Sequence, residues 1–161
     1  MKKSITSKST KRTVCLLVVL LLLLSALVGC GNKSKTVELT AENINEYFQF
    51  NVTYGDLDAH TSGGIAFAFV DVIVEAYPTV SGKLSNVKIK AEIKCPVLWT
   101  VSSSDPAYNE DDTGKMLIDI VMPADGKYTS THRIGRAMYS AKPEIDCTFN
   151  IIEAEGTITI D

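Results

Sequence analysis

Val87-Lys88-Ile89-Lys90-Ala91-Glu92-Ile93-Lys94-Cys95 alternates without interruption: odd positions are apolar or small and even positions are charged. Successive side chains of a β-strand point to opposite faces, so this run predicts a strand with one face on a core and the other in water, as in an antiparallel sheet. The same period of two recurs on either side of it. Phe48, Phe50, Val52 and Tyr54 alternate with Gln49, Asn51 and Thr53, and the pattern returns at Met116, Ile118, Ile120 and Met122 and at Cys147, Phe149 and Ile151. Thr157 to Ile160 adds a last strand. Ile65 to Tyr77 departs from the pattern, being apolar on both faces apart from Asp71 and Glu75. That predicts a central strand, bent or bulged because of its length. Pro123-Ala124-Asp125-Gly126 reads as a hairpin connection between two strand-like runs.

Only Thr40 to Phe48 reads as a helix, with Thr40 as N-cap, Glu42 in the first turn, and Ile44, Tyr47 and Phe48 as an apolar stripe. About seven or eight short strands after one short helix predict a mainly β fold, an antiparallel β-sandwich, with a small open barrel as runner-up. The pattern resembles the immunoglobulin and fibronectin type III group of envelope modules, in architecture alone. Trp99 stands only four residues after Cys95, and Ile145 occupies the place of a corner tyrosine two residues before Cys147, so the resemblance carries no functional residue.

The first thirty residues address location. Lys2, Lys3, Lys8, Lys11 and Arg12 precede an apolar run, Val14 to Val28, broken only by Ser25. A basic segment held on the cytoplasmic side and an apolar run entering the bilayer make a secretory signal, and the run falls short of the roughly 20 residues that span a membrane. Leu27-Val28-Gly29-Cys30 resembles the lipobox of bacterial lipoproteins. The resemblance implies that residues 1–29 are a cleaved signal peptide and that Cys30 becomes an N-terminus carrying diacylglycerol. Its partner is then the membrane itself, on the extracytoplasmic face. Two acyl chains, at about 0.8 kcal/mol per buried methylene, anchor stably where one would not. The long basic leader is similar to those of Gram-positive lipoproteins. Residues 30–36 would form a lipidated tether of roughly 20 Å, and 37–161 a single domain.

Removing the leader leaves a chain long enough for one core. All 19 acidic residues lie beyond it, while five of the 16 basic ones leave with it, so the mature charge is about −8. Such a surface disfavours nucleic acid and is repelled by anionic lipid. Two cysteines remain for the domain, Cys95 and Cys147, each in phase with the apolar residues of its strand. An oxidising compartment permits a disulfide between them; two buried free thiols are the alternative.

Raw material for catalysis is thin. The sequence holds two histidines, His60 and His132, and contains no Gly-x-Ser-x-Gly elbow, phosphate-binding glycine loop, Cys-x-x-Cys pair or His-Glu-x-x-His motif. No catalytic residue and no cofactor is assigned. The sharpest metal candidate is Asp56-Leu57-Asp58-Ala59-His60, because three ligand side chains share one face of an extended segment; Gly55 and Gly63-Gly64 around it mark an ordinary polar loop instead. Asp105, Glu110, Asp111 and Asp112 could offer oxygens to calcium, or be solvated loop charge. Trp99 and Tyr108 flank that long loop and Tyr128 and Tyr139 follow; exposed aromatics could stack on a glycan or hold an envelope protein. The expected function is therefore a membrane-anchored, non-catalytic binding or structural module. The alternative is a small metal-dependent hydrolase using Asp56, Asp58 and His60.

Overall fold

The computed structural model describes residues 34–137 and 145–160. The leader, Cys30 and Tyr139 lie outside the described residues.

Alternation in sequence becomes alternation in burial. Along one long strand (Gly82–Lys94) Val87, Ile89, Ala91 and Ile93 are buried, while Lys88 and Lys94 stand in water. In chain order the elements are β1 (Lys35–Glu38), α1 (Ile44–Tyr47), β2 (Phe48–Tyr54), β3 (Asp58–Ser62), β4 (Ile65–Pro78), β5 (Gly82–Lys94), β6 (Thr100–Val101), β7 (Lys115–Val121), β8 (Tyr128–Ala137) and β9 (Thr148–Ile160). They form two antiparallel sheets, β1-β9-β5-β7 and β2-β4-β8-β6, with β3 also paired to β4. Between the sheets lies one core. Val70, Val72 and Val74 of β4 meet Ile89 and Ile93 of β5, Met116 and Ile120 of β7, Ile134 of β8 and Ile158 of β9. Each such aliphatic side chain contributes about 1.5–3 kcal/mol by leaving water. The fold is the expected β-sandwich.

Four local expectations are corrected. The helix is a single turn, Ile44–Tyr47, and Phe48 already begins β2. Thr40 does not cap it with its side chain; its backbone N–H donates to Asn43 Oδ1 (2.9 Å), and Asn43 Nδ2 donates to the Glu38 carbonyl (2.9 Å). So short a helix is held by tertiary burial of Ile44 rather than by its own hydrogen bonds. The turn at Pro123–Gly126 forms, with Gly126 N–H donating to the Pro123 carbonyl, but it joins β7 to β8 in the opposite sheet and is no hairpin. β4 is central but pairs in continuous register with β8 from Phe67 to Ala76; the register shifts fall between β5 and β9 instead. Finally, Lys35 and Thr36, assigned to the tether, already pair with Ile160 and Thr159.

Gly156 shows what the β5–β9 irregularity needs. Its φ is +111°, and an added Cβ would stand 2.6 Å from the Asn86 carbonyl oxygen and 2.7 Å from Val87 Cα. Asn86 itself takes φ 51° where the register breaks between Ser85 and Lys88. Only glycine lets the two backbones approach so closely.

Candidate functional site

The apolar second face of β4 faces outward. Its even-numbered residues from Ala68 to Ala76 fill the core, so Phe67, Phe69 and Asp71 point away from it. Neighbouring strands set the rows. His60 of β3 pairs across to Phe67, Asp58 to Phe69, and on the other side Gly135 of β8 pairs with Phe69 and Arg133 with Asp71. β3 and β4 are joined by Gly63 and Gly64, both with positive φ, as a two-residue hairpin demands. Asp58–Ser62 is therefore a strand and not the loop its flanking glycines suggested.

This register assembles a platform of three stacked rings. His60 lies 5.8 Å from Phe67 and 5.4 Å from Phe69, centroid to centroid, and the two phenyl rings are 6.4 Å apart with planes 14° from parallel. The Arg133 guanidinium sits 5.3 Å over the Phe69 ring. It donates from Nη2 to Asp58 Oδ2 (2.6 Å) and from Nη1 to Asp71 Oδ1 (3.2 Å). One cation between two carboxylates fixes the ring from above, and cation–π attraction adds to it. Gly135 makes room below. A Cβ there would come within 2.8 Å of Phe69 Cε1, so the glycine lets the ring lie flat across β8.

Beside Phe69 runs an open groove of about 580 Å³, lined by Arg133, Gly135, Thr100, Ser102, Tyr108 and Thr113 among others. One wall is the loop between β6 and β7, and a buried polar link pins it. Asp105 turns inward to accept a hydrogen bond from His132 Nδ1 (2.9 Å) and one from the Ala107 N–H (2.8 Å). A carboxylate only accepts, so Nδ1 carries the hydrogen, and in the neutral ring Nε2 accepts from the Ser130 hydroxyl (3.0 Å). Ser102 N–H closes the loop onto the Arg133 carbonyl (3.0 Å). Serine, imidazole and carboxylate in line repeat the hydrogen-bond order of a hydrolytic triad. But Ser130 and His132 share the inward face of β8, whereas Arg133 and Gly135 line the groove on the outward one. A ligand in the groove does not meet the Ser130 oxygen, and the triad serves as the loop's buried pin.

The other candidates are scattered. Asp58 is engaged by Arg133, His60 lies in the ring stack, and Asp56 precedes β3 as an exposed residue. Of the proposed calcium oxygens, Asp105 is turned to His132, Asp112 pairs with Lys115 (3.4 Å), and Glu110 and Asp111 are exposed. Lys115 also meets Glu92 (3.4 Å), and Glu92 first, then Asp112, raise its pKa. Among the described residues no three His, Cys, Asp or Glu side chains come together as a metal ion's ligands would. Trp99 is a core residue, 2 % exposed, with Nε1 unpartnered among the described residues, and so is no surface aromatic. Tyr108 is half-buried in the groove wall, and Tyr128 lies half-buried against the core.

The platform residues Phe67, Phe69, Arg133 and Gly135 were missed in sequence. Two signals pointed there. Gly135 is an isolated glycine inside a strand-like run, which marks a close approach, and Gly63-Gly64 is a hairpin turn that would have made Asp58–Ser62 a strand beside β4.

Cys95 and Cys147 hold free thiols. β5 and β9 pair as far as Lys94 and Thr148, which places Cys95 opposite Cys147 at the next position. Tyr54 accepts from the Cys147 backbone N–H through its hydroxyl oxygen (2.8 Å).

No family model, curated protein or solved structure matches the chain, so the site speaks through its own geometry.

Proposed function

We propose that this chain is a lipid-anchored, extracytoplasmic, non-catalytic binding module whose ligand lies on the His60–Phe67–Phe69 platform and in the groove beside it. The lipobox-like Leu27-Val28-Gly29-Cys30 supports the anchor. The stacked platform is the observation that carries the ligand site. Three flat rings on a solvent-facing sheet surface, with a guanidinium and two carboxylates at their edge, offer apolar stacking and fixed hydrogen-bonding groups together. Because Arg133 is already balanced by Asp58 and Asp71, the site favours an uncharged, hydroxyl-rich ligand over an anion. A glycan of the cell envelope has that chemistry. The groove opens along the side of Phe69, which suits an extended chain better than a compact molecule.

The metal-dependent alternative loses support because its three residues serve separate neighbours. Asp58 would have to abandon a 2.6 Å contact with Arg133 to ligate an ion.

The test is retention on immobilised cell-wall polysaccharide and peptidoglycan. Wild-type protein should be retained and Phe69→Ala should lose at least about tenfold in affinity, the loss of 1.4 kcal/mol or more expected for one stacked ring. Equal retention of the two proteins, or no retention of wild type, would overturn the glycan site. The anchor is tested separately: Cys30→Ala should take up no fatty-acid analogue in growing cells, and labelling equal to wild type would refute it.

A further inference from the structure

Away from the platform, at the end of the β5–β9 pairing, three polar groups converge that the binding reading does not use. Cys95 is 6 % exposed, whereas Cys147 is half-buried and open to solvent on one side. The Tyr54 hydroxyl stands beside Cys147, accepting a hydrogen bond from its backbone N–H (2.8 Å). Two thiols opposed across antiparallel strands lie where a disulfide closes with little backbone movement, since directly opposed Cα atoms stand about 4.5–5.5 Å apart. One is reachable and the other is not.

We propose that Cys147 and Cys95 form a thiol–disulfide exchange site that reacts with low-molecular-weight disulfides, Cys147 entering and Cys95 resolving. In the first step the Cys147 thiolate attacks one sulfur of R–S–S–R; a Cys147–S–S–R bond forms and one RS⁻ leaves. In the second, Cys95 gives up its proton to that thiolate or to water and attacks the Cys147 sulfur, expelling the second RS⁻. The protein thiols lose two electrons and two protons, and the small disulfide takes both to become two thiols. Half-burial of Cys147 selects for a small substrate, because a bulky protein disulfide cannot reach the sulfur.

The electrostatics agree with these roles. The Cys95 thiol, with the Tyr54 hydroxyl, outweighs burial and the charge of Asp146 and pulls the Cys147 pKa down to about 7. The same pairing raises the Cys95 pKa, and burial, the Cys147 charge and Asp112 raise it further. Burial first, with Cys147 and Asp146, raises Tyr54 against the opposing hydrogen bond from the Cys147 backbone N–H, so its hydroxyl keeps its hydrogen. An attacking thiol does best with a pKa near ambient pH, and a buried partner waits as thiol until the mixed disulfide is made.

The experiment treats the reduced full-length chain with glutathione disulfide, quenches by alkylation, and reads the Cys95 and Cys147 peptides separately by mass spectrometry. That separation keeps Cys15 and Cys30 out of the result. Wild type should convert to a Cys95–Cys147 disulfide with no accumulated adduct. Cys95→Ala should accumulate a single glutathione adduct on Cys147, and Cys147→Ala should react at least tenfold more slowly. Should either variant unfold, limited alkylation of wild type decides: the Cys147 peptide should be labelled well before the Cys95 peptide, with a pH midpoint near 7 rather than near 9. Equal labelling, a wild type that forms no disulfide, or a disulfide that millimolar glutathione cannot reduce again would each overturn the proposal.

Discussion

The outward faces of the two sheets are built on the same alternation and carry opposite chemistry. On β5, Lys88 faces Glu155 of β9, Lys90 faces Glu153 of β9 and Asp119 of β7, and Glu92 lies within reach of Lys115, giving a lattice of mixed charge. One of its ion pairs is wet: Lys88 and Glu155 meet at 2.9 Å with about two-thirds of each side chain exposed. On β4 the corresponding face carries Phe67 and Phe69, and the Arg133 guanidinium is held between two carboxylates above a ring. Charged side chains alternate on the first face with the exposed Val121 and Leu117, and no aromatic ring of β5 or β7 stacks there. The second holds two half-buried phenyl rings and an exposed imidazole in a fixed arrangement. Both sheets need a glycine, for different reasons. Gly156 lets two backbones meet and Gly135 lets a ring lie flat, so their substitution separates architecture from recognition.

Gly156→Ala should have the largest effect. Its Cβ would meet backbone atoms that cannot step aside, at a φ that L-residues avoid. A loss of about 3 kcal/mol or more is expected, read as a lower urea midpoint, with glycan retention of the remaining folded protein unchanged. A variant as stable as wild type would show that the β5–β9 irregularity relaxes freely. His132→Ala comes next, at about 2–3 kcal/mol, because it leaves the Asp105 carboxylate buried with only the Ala107 N–H. The loop of residues 102–113 should then exchange its amides faster than the strands, and the groove wall should loosen. Protection equal to wild type would mean that the buried pin does not hold the loop.

How far the sequence discloses this follows from where each signal is written. Val87 to Cys95 carries its own strand in a period of two, because one face is wet and the other dry. β4 does not, because Phe67 and Phe69 are apolar on the solvent side, and a period cannot distinguish a ring platform from a second buried face. Hence Ile65 to Tyr77 reads as central, which it is, while the ring platform on its half-buried outer face leaves no separate signal. Asp105 and His132 are 27 residues apart, and no local pattern joins them. Trp99 reads as a loop aromatic because it follows Pro96, Val97 and Leu98 in a turn, yet the turn drops its ring into the core while Val97 and Leu98 remain exposed. The opposition of Cys95 and Cys147 depends on register shifts between β5 and β9, which leave no trace in alternation.

Gly135→Ala should cost less stability than Gly156→Ala, about 1–2 kcal/mol, since the obstructing group is the edge of a phenyl ring that can swing away. The swing is the point. Phe69 would lift off β8, part from Arg133, and break its stacking on His60. Glycan retention should therefore fall at least about fivefold while the variant stays folded, the loss of roughly 1 kcal/mol expected when one stacked ring is displaced. Retention at the wild-type level with the ring displaced would detach recognition from the platform and return it to the groove alone.

The smallest effect belongs to the charged face. Lys88→Ala and Glu155→Ala, singly or together, should change stability by less than about 0.5 kcal/mol, because two exposed side chains gain little from pairing in water and lose rotamer freedom in doing so. Their coupling in a double-mutant cycle should fall further in 0.5 M salt, where the Debye length of roughly 4 Å approaches the pair's separation. Neither variant should alter glycan retention. A coupling above about 1 kcal/mol, or lost retention, would make the lattice of Lys88, Lys90, Glu153 and Glu155 a second specific surface. The contrast between the two faces would then be one of ligand chemistry rather than of use against solvation.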